Sequence, residues 1–101
     1  MTESLTREEV EATEGLDGWA VVDDTIQATF ATGSMAAGIE FVSRIGPMAD
    51  EANHHPDLTI TYPRVHVLLT THDTGGLTTR DVDLARQISA LATELGVATD
   101  D

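Results

Sequence analysis

The run from Arg64 to His72, RVHVLLTTH, alternates residue by residue, with Val65, Val67, Leu69 and Thr71 on one face and Arg64, His66, Leu68, Thr70 and His72 on the other. A two-residue period of this kind marks a strand buried on one face only, so something else in the chain must cover the valines and leucine. The preceding Leu58-Thr59-Ile60-Thr61-Tyr62 also alternates, and Pro63 separates the two runs with a turn residue. A second pair of extended runs, Trp19–Val22 and Thr25–Phe30, flanks Asp23-Asp24, whose side chains favour turns. Two antiparallel hairpins follow.

Three helical segments are expected around them. Thr6-Arg7-Glu8-Glu9 fits a capping box opening a short helix over about 7–14, and Ser34 offers an N-cap after the break at Thr32-Gly33. From Met35, the residues Met35, Ile39, Val42, Ile45, Met48, Ala49 and Ala52 recur at helical spacing up to Asn53. Gly46-Pro47 lies within that stretch, and an internal proline removes a ladder bond, so a kink or break is expected there. Gly75-Gly76 then permits a tight turn. Thr78-Thr79-Arg80-Asp81 supplies a second capping box, followed by a stripe of Val82, Ala85, Ile88, Ala92 and Leu95. The tail at Thr99-Asp100-Asp101 is expected to fray. The order is α-β-β-α-β-β-α: one antiparallel sheet covered by helices, an α+β fold, within a single domain spanning 1–101.

All four histidines, His54, His55, His66 and His72, fall between Asp50 and Asp81. An imidazole with an ordinary pKa near 6.5 gives or takes a proton at neutral pH without much tuning. His54 and His55 stand where the long helix ends, and Pro56 drives His55 toward extended geometry. His72 closes a hairpin strand whose partner begins at that corner, so His54, His55 and His72 can meet at one edge of the sheet. Three readings are open: surface or capping histidines, a histidine-only metal site, and a proton-transfer site. Adjacent histidines on extended backbone point to opposite sides, which makes joint ligation of one ion awkward. His66, in mid-strand, reads as a partly exposed or interface residue. Trp19 reads as core, and Asp81 as a helix-capping acid.

The spacing of these residues resembles the signature of the pterin-4a-carbinolamine dehydratases. It runs Asp50, three residues, His54-His55-Pro56, five residues, Tyr62, nine residues, His72, eight residues, Asp81. Gly18-Trp19, Phe41, Arg44 and the run THDTGGLTTRDVDLA from Thr71 to Ala85 match as well, so the resemblance covers about residues 5–95. It implies a four-stranded antiparallel sheet with three helices, in agreement with the order above. It also implies a hydro-lyase, 4a-hydroxytetrahydrobiopterin dehydratase, which removes water from 4a-hydroxytetrahydropterin to give quinonoid dihydropterin and so supports tetrahydropterin recycling. No cofactor or metal is implied. By position, His54 and His72 are similar to the family's acid/base pair, and His55 to the residue that binds and orients the pterin. Asp81 is similar to the acid beside His72, and Trp19 to a pocket-lining residue. Leu58, where relatives often carry an aromatic, and Gly46-Pro47 depart from the pattern. Some members serve instead as dimerisation cofactors, which makes a pterin-binding or protein-partner module with vestigial catalysis the alternative. A homodimer or homotetramer is expected, because a two-hairpin sheet leaves edge strands for a second subunit to cover.

The chain has no cysteine, which removes disulfides and thiolate chemistry together. The polar, acidic start MTESLTREEVE lacks the pattern of a signal peptide, so a cytoplasmic protein is expected. Eighteen Asp and Glu face five basic residues, all arginine, for a formal charge of -13. Such a surface repels phosphate backbones and anionic lipid, which argues against direct nucleic-acid or membrane partners. With no lysine and only four aromatic residues, the composition also fits a protein adapted to high salt. At 1 M salt the screening length falls to about 3 Å, suppressing carboxylate repulsion. The melting temperature is therefore expected to rise between dilute buffer and molar KCl; an unchanged value would contradict salt adaptation.

Overall fold

The computed structural model describes residues 4–71 and 76–100. The elements in chain order are α1 (Arg7–Glu11), β1 (Ala20–Val22), β2 (Thr25–Ala31), α2 (Met35–Ala52), β3 (Asp57–Thr61), β4 (Arg64–Leu69), α3 (Thr79–Leu95) and β5 (Ala98–Thr99). All strand pairs are antiparallel, with β1, β2, β4 and β3 side by side in that order and β5 added against β2. The fold is α+β, as the alternating runs require. The expected capping residues open all three helices: Thr6 with Glu9, Ser34 onto the Ala37 amide, and Thr78 with Asp81.

The central pair is β2 with β4, and its register sets Ile26 opposite Leu69, Ala28 opposite Val67 and Phe30 opposite Val65. These six side chains are buried and form the sheet's share of the core. Helices α2 and α3 contribute Phe41, Ile45 and Ala49, and Val82, Leu84, Ala85, Ile88, Leu91 and Ala92, to the same cluster. Phe30 sits at its centre, edge-on to Phe41 with ring centroids 5.0 Å apart and to Trp19 at 6.0 Å. Among the described residues no helix is long and apolar enough to cross a membrane.

Four expectations are corrected. Helix α1 stops at Glu11 rather than near residue 14. Helix α2 runs through Pro47 without a break. Pro47 and Ser43, whose carbonyl loses its helical donor, both lie on the exposed side, where water can take the bond. The buried face of α2 is Gly38, Phe41, Ile45 and Ala49, whereas Met35 and Ile39 are 46% and 53% exposed. The rotation puts Phe41, Ile45 and Ala49 into the shared core; Gly38 faces the sheet on the same side, where a Cβ would stand 3.4 Å from both the Val65 and Thr32 side chains, an ordinary contact distance. Finally, the tail does not fray through Asp100. Thr99 and Ala98 pair with Phe30 and Ala31, the Asp100 amide donates to the Thr29 carbonyl, and Arg64 donates to the Asp100 carboxylate. The expected four-stranded sheet thus gains β5 as a short fifth strand against β2. Gly18 makes room for β5; its φ is +87°, and a Cβ would overlap the Thr99 side chain at 2.4 Å.

Candidate active site

Helix α2 ends at a tightly specified corner. Asn53 takes left-handed backbone (φ 51°), a conformation asparagine tolerates better than most residues. The Asn53 amide donates to the Asp50 carbonyl and the His54 amide to the Ala49 carbonyl, each at 3.1 Å, the paired bonds of a Schellman motif. The end of the helix thus holds the two amides that lead into His54. Beyond it the two adjacent side chains diverge. His54 is buried, at 7% exposure, whereas His55 is exposed and holds its Nε2 2.9 Å from Oδ1 of the equally exposed Asp50. A solvated pair of that kind steadies a side chain only weakly.

The buried ring of His54 meets Asp81, with Nε2 2.5 Å from Oδ1. Asp81 is the third residue of α3 and fully buried, and its other oxygen, Oδ2, accepts from the Thr78 amide at 2.9 Å and the Thr71 hydroxyl at 2.6 Å. Since the Thr71 proton is committed to Asp81, the 2.9 Å contact between the Thr71 and Thr78 hydroxyls has Thr78 as donor. Thr78 Oγ1 in turn accepts from the Arg80 amide at 3.2 Å. The chain of bonds runs Arg80 amide, Thr78, Thr71, Asp81, and each link polarises the next toward the carboxylate. The first turn of a helix, with its outward amides, is a favourable place for that acceptor.

This network selects the tautomer of His54. Oδ1 accepts, so Nε2 carries the proton and Nδ1 of the neutral ring is left as the acceptor. No hydrogen bond engages Nδ1 among the described residues, so Nδ1 is the ring nitrogen left for a ligand. A carboxylate behind an imidazole, with the far nitrogen turned outward, is an arrangement suited to proton transfer: it orients the ring and stabilises the imidazolium once a proton is taken up.

The other histidines are placed differently. His66 faces away from the core, with Nε2 2.9 Å from Gln27 Oε1 and Nδ1 2.9 Å from Thr29 Oγ1, so both nitrogens are engaged on the outer face of the sheet. His72 lies outside the described residues. Trp19 donates from Nε1 to Ser89 Oγ at 2.8 Å. Ser89 is eight residues past Asp81 on α3, about 12 Å of helix rise, so Trp19 stands apart from the histidine corner. Among the described residues no three His, Asp or Glu side chains converge so as to hold a metal ion.

Sequence reasoning picked out Asp81 and the Thr78 capping box but missed Thr71 and Arg80. Thr71 is read from its alternation as an inward strand residue, and its hydroxyl, unlike its neighbours' methyls, was the available signal for a buried polar partner. Arg80, whose Nη2 donates to the Asn53 carbonyl at 2.6 Å, carries a subtler signal. It is a cation in the first turn of a helix, where the macrodipole disfavours positive charge.

With fold and site in view, the comparisons with known proteins agree. The chain belongs to the pterin 4 alpha carbinolamine dehydratase family, whose model matches residues 3–91. It is 46% identical over 93 residues to a protein of Thermosynechococcus vestitus, covering 91% of this chain and 98% of that one. It is 42% identical over 92 residues to a protein of Natronomonas pharaonis, covering 91% and 99% respectively. Both relatives carry the provisional name pterin-4-alpha-carbinolamine dehydratase. A crystal structure from Brucella melitensis, described as a transcriptional coactivator/pterin dehydratase, matches with a TM-score of 0.82 at 34% identity, covering 89% of this chain and 99% of that one.

Asp81→Asn tests the network directly. With the amide nitrogen toward His54, the ring must take the other tautomer, Nε2 accepting and Nδ1 carrying the proton; with it toward Thr71 and the Thr78 amide, a buried donor is left unpaired at a cost of about 1–3 kcal/mol. Nitrogen NMR is expected to show the His54 ring proton moved from Nε2 to Nδ1, or urea unfolding the loss of stability; wild-type stability with the proton still on Nε2 would mean that the carboxylate is not accepting all three bonds.

Proposed function

We propose that the protein is a dehydratase that removes water from 4a-hydroxytetrahydropterin by histidine acid/base catalysis. The reaction breaks the bond between C4a and its hydroxyl, takes the proton from the neighbouring ring nitrogen, and leaves a C4a–N double bond: one water out, quinonoid dihydropterin remaining. It needs a group that gives a proton to the departing hydroxyl and a group that takes one from nitrogen, each within hydrogen-bond reach. We assign these two roles to His54 and His72, and binding and orientation of the pterin to His55. Asp81 holds the ring of His54 from behind. Trp19, anchored on Ser89 away from this corner, is given no proton-transfer role.

The observation that carries this assignment is the buried 2.5 Å contact between His54 Nε2 and Asp81 Oδ1. It gives one ring nitrogen to the protein and the other to the surface, which is what a residue cycling a proton with a bound ligand requires. The family membership supplies the substrate class.

A second reading, a pterin-binding or protein-partner module, draws support from the description of the Brucella melitensis relative, which includes coactivator. The surface here is compatible with assembly under either reading. Strand β3 closes the sheet with one side unpaired, and Met35, Ile39 and Tyr62 are exposed, Tyr62 by 65%. Open strand edges and exposed apolar side chains favour association. We infer a homodimer or homotetramer; light scattering that finds only monomer in both dilute and molar salt would remove that part.

The activity is tested by following carbinolamine dehydration with purified protein at both salt extremes. His54→Ala and His72→Ala are each expected to slow turnover by roughly 10²-fold or more, the usual worth of acid/base assistance, while His66→Gln has little effect. Wild-type protein that binds pterin without accelerating dehydration would favour the module; a loss at His66 equal to that at His54 would sink the assignment of the site.

A further inference from the structure

We propose that Arg80 is a positioning residue for His54: with Asp81 it forms a two-point clamp that holds the peptide leading into the histidine. The inference rests on the reading of His54 as a proton-transfer residue. Arg80 and Asp81 are adjacent in the first turn of α3, and they grip the adjacent Asn53 and His54 at the end of α2. Asp81 takes the imidazole; the Arg80 guanidinium donates to the Asn53 carbonyl at 2.6 Å. That carbonyl belongs to the peptide group joining Asn53 to His54. Fixing its plane also fixes the His54 amide, which donates to the Ala49 carbonyl at 3.1 Å.

The electrostatics point the same way. On its own helix, Arg80 stands at the positive end of the macrodipole, where a cation is disfavoured. Across the corner it stands at the negative end of α2, which has no basic residue of its own in the last turn. The side chain therefore leaves α3 and neutralises α2. Asn53 is also in left-handed backbone, φ 51°, which a non-glycine residue keeps only when neighbours hold it. Without the guanidinium, the Schellman bonds and Asp81 remain, but the intervening peptide is free to rock, and the outward Nδ1 of His54 loses its fixed line of approach. Displacement of about 1 Å at a reacting atom can cost up to about 100-fold in rate.

Arg80→Met keeps most of the stem and removes the donor; Arg80→Lys keeps the charge without the planar fork. Three quantities are measured on the full chain: kcat and KM for dehydration, the His54 Nε2–H proton resonance, and the thermal midpoint. For Arg80→Met we expect kcat to fall about tenfold with KM within about twofold. The His54 Nε2–H signal should broaden through faster exchange with water, and Arg80→Lys should recover part of both. Wild-type kcat and an unchanged ring signal in Arg80→Met would overturn the clamp. So would a fall in kcat that merely follows the folded fraction while the ring signal stays sharp. If Arg80→Met does not fold, Arg80→Lys carries the test, with an intermediate kcat and ring signal expected and wild-type values for both overturning it. Absence of dehydratase activity in the wild type would defeat the functional reading instead, and the ring resonance would still report on the clamp.

Discussion

Three separate parts of the chain converge on the carboxylate of Asp81. Thr71, just past β4, donates to it; the Thr78 amide at the start of α3 donates to it; and His54, just past α2, places its ring nitrogen 2.5 Å away. A buried carboxylate is tolerated only when its hydrogen-bonding capacity is filled, and here the segment past β4, the start of α3 and the corner past α2 supply one donor each. The group that fills the capping box of α3 is therefore also the group that docks α2 onto it. Its chemical consequence, a histidine with one nitrogen buried and one outward, follows from its structural role at no added cost in strain.

Parts of this were legible in the sequence because they are local. The strict alternation of Arg64–Leu69 needs only a two-residue period, and Val65, Val67 and Leu69 are indeed the residues buried. The capping boxes at Thr6 and Thr78 depend on side chains three residues apart. The divergence of His54 and His55 is a property of extended backbone before proline. What was not legible depends on packing between distant segments. The buried face of α2 was misjudged because Met35 and Ile39 are apolar, yet the contact face is the one that carries Phe41, Ile45 and Ala49 into the core shared with the sheet and α3. Strand β5 has no pattern of its own: its two residues are held by β2, by Gly18 making space for Thr99, and by Arg64 on Asp100. The link between Arg80 and Asn53 spans 27 positions and has no periodic signature at all.

The outer face of the sheet makes a useful contrast with the corner. His66 is as central in its strand as any residue, but Gln27 and Thr29 occupy both its nitrogens, and Gln27 is itself oriented by Thr25 at 3.0 Å. A histidine tied at both ends is a structural element. His54 is tied at one. What matters for chemistry is whether a nitrogen is left for a ligand, and this separates the candidate site from the rest of the polar surface.

The central claim is that a pterin docks at the corner where α2 and α3 meet. The most direct measurement is a titration of the isotopically labelled protein with a 7,8-dihydropterin, following backbone and imidazole resonances. The largest changes should fall at His54, His55, Arg80 and Asp81, with His54 Nδ1 moving most among the ring nitrogens. Changes centred on His66 and Gln27 would contradict the account.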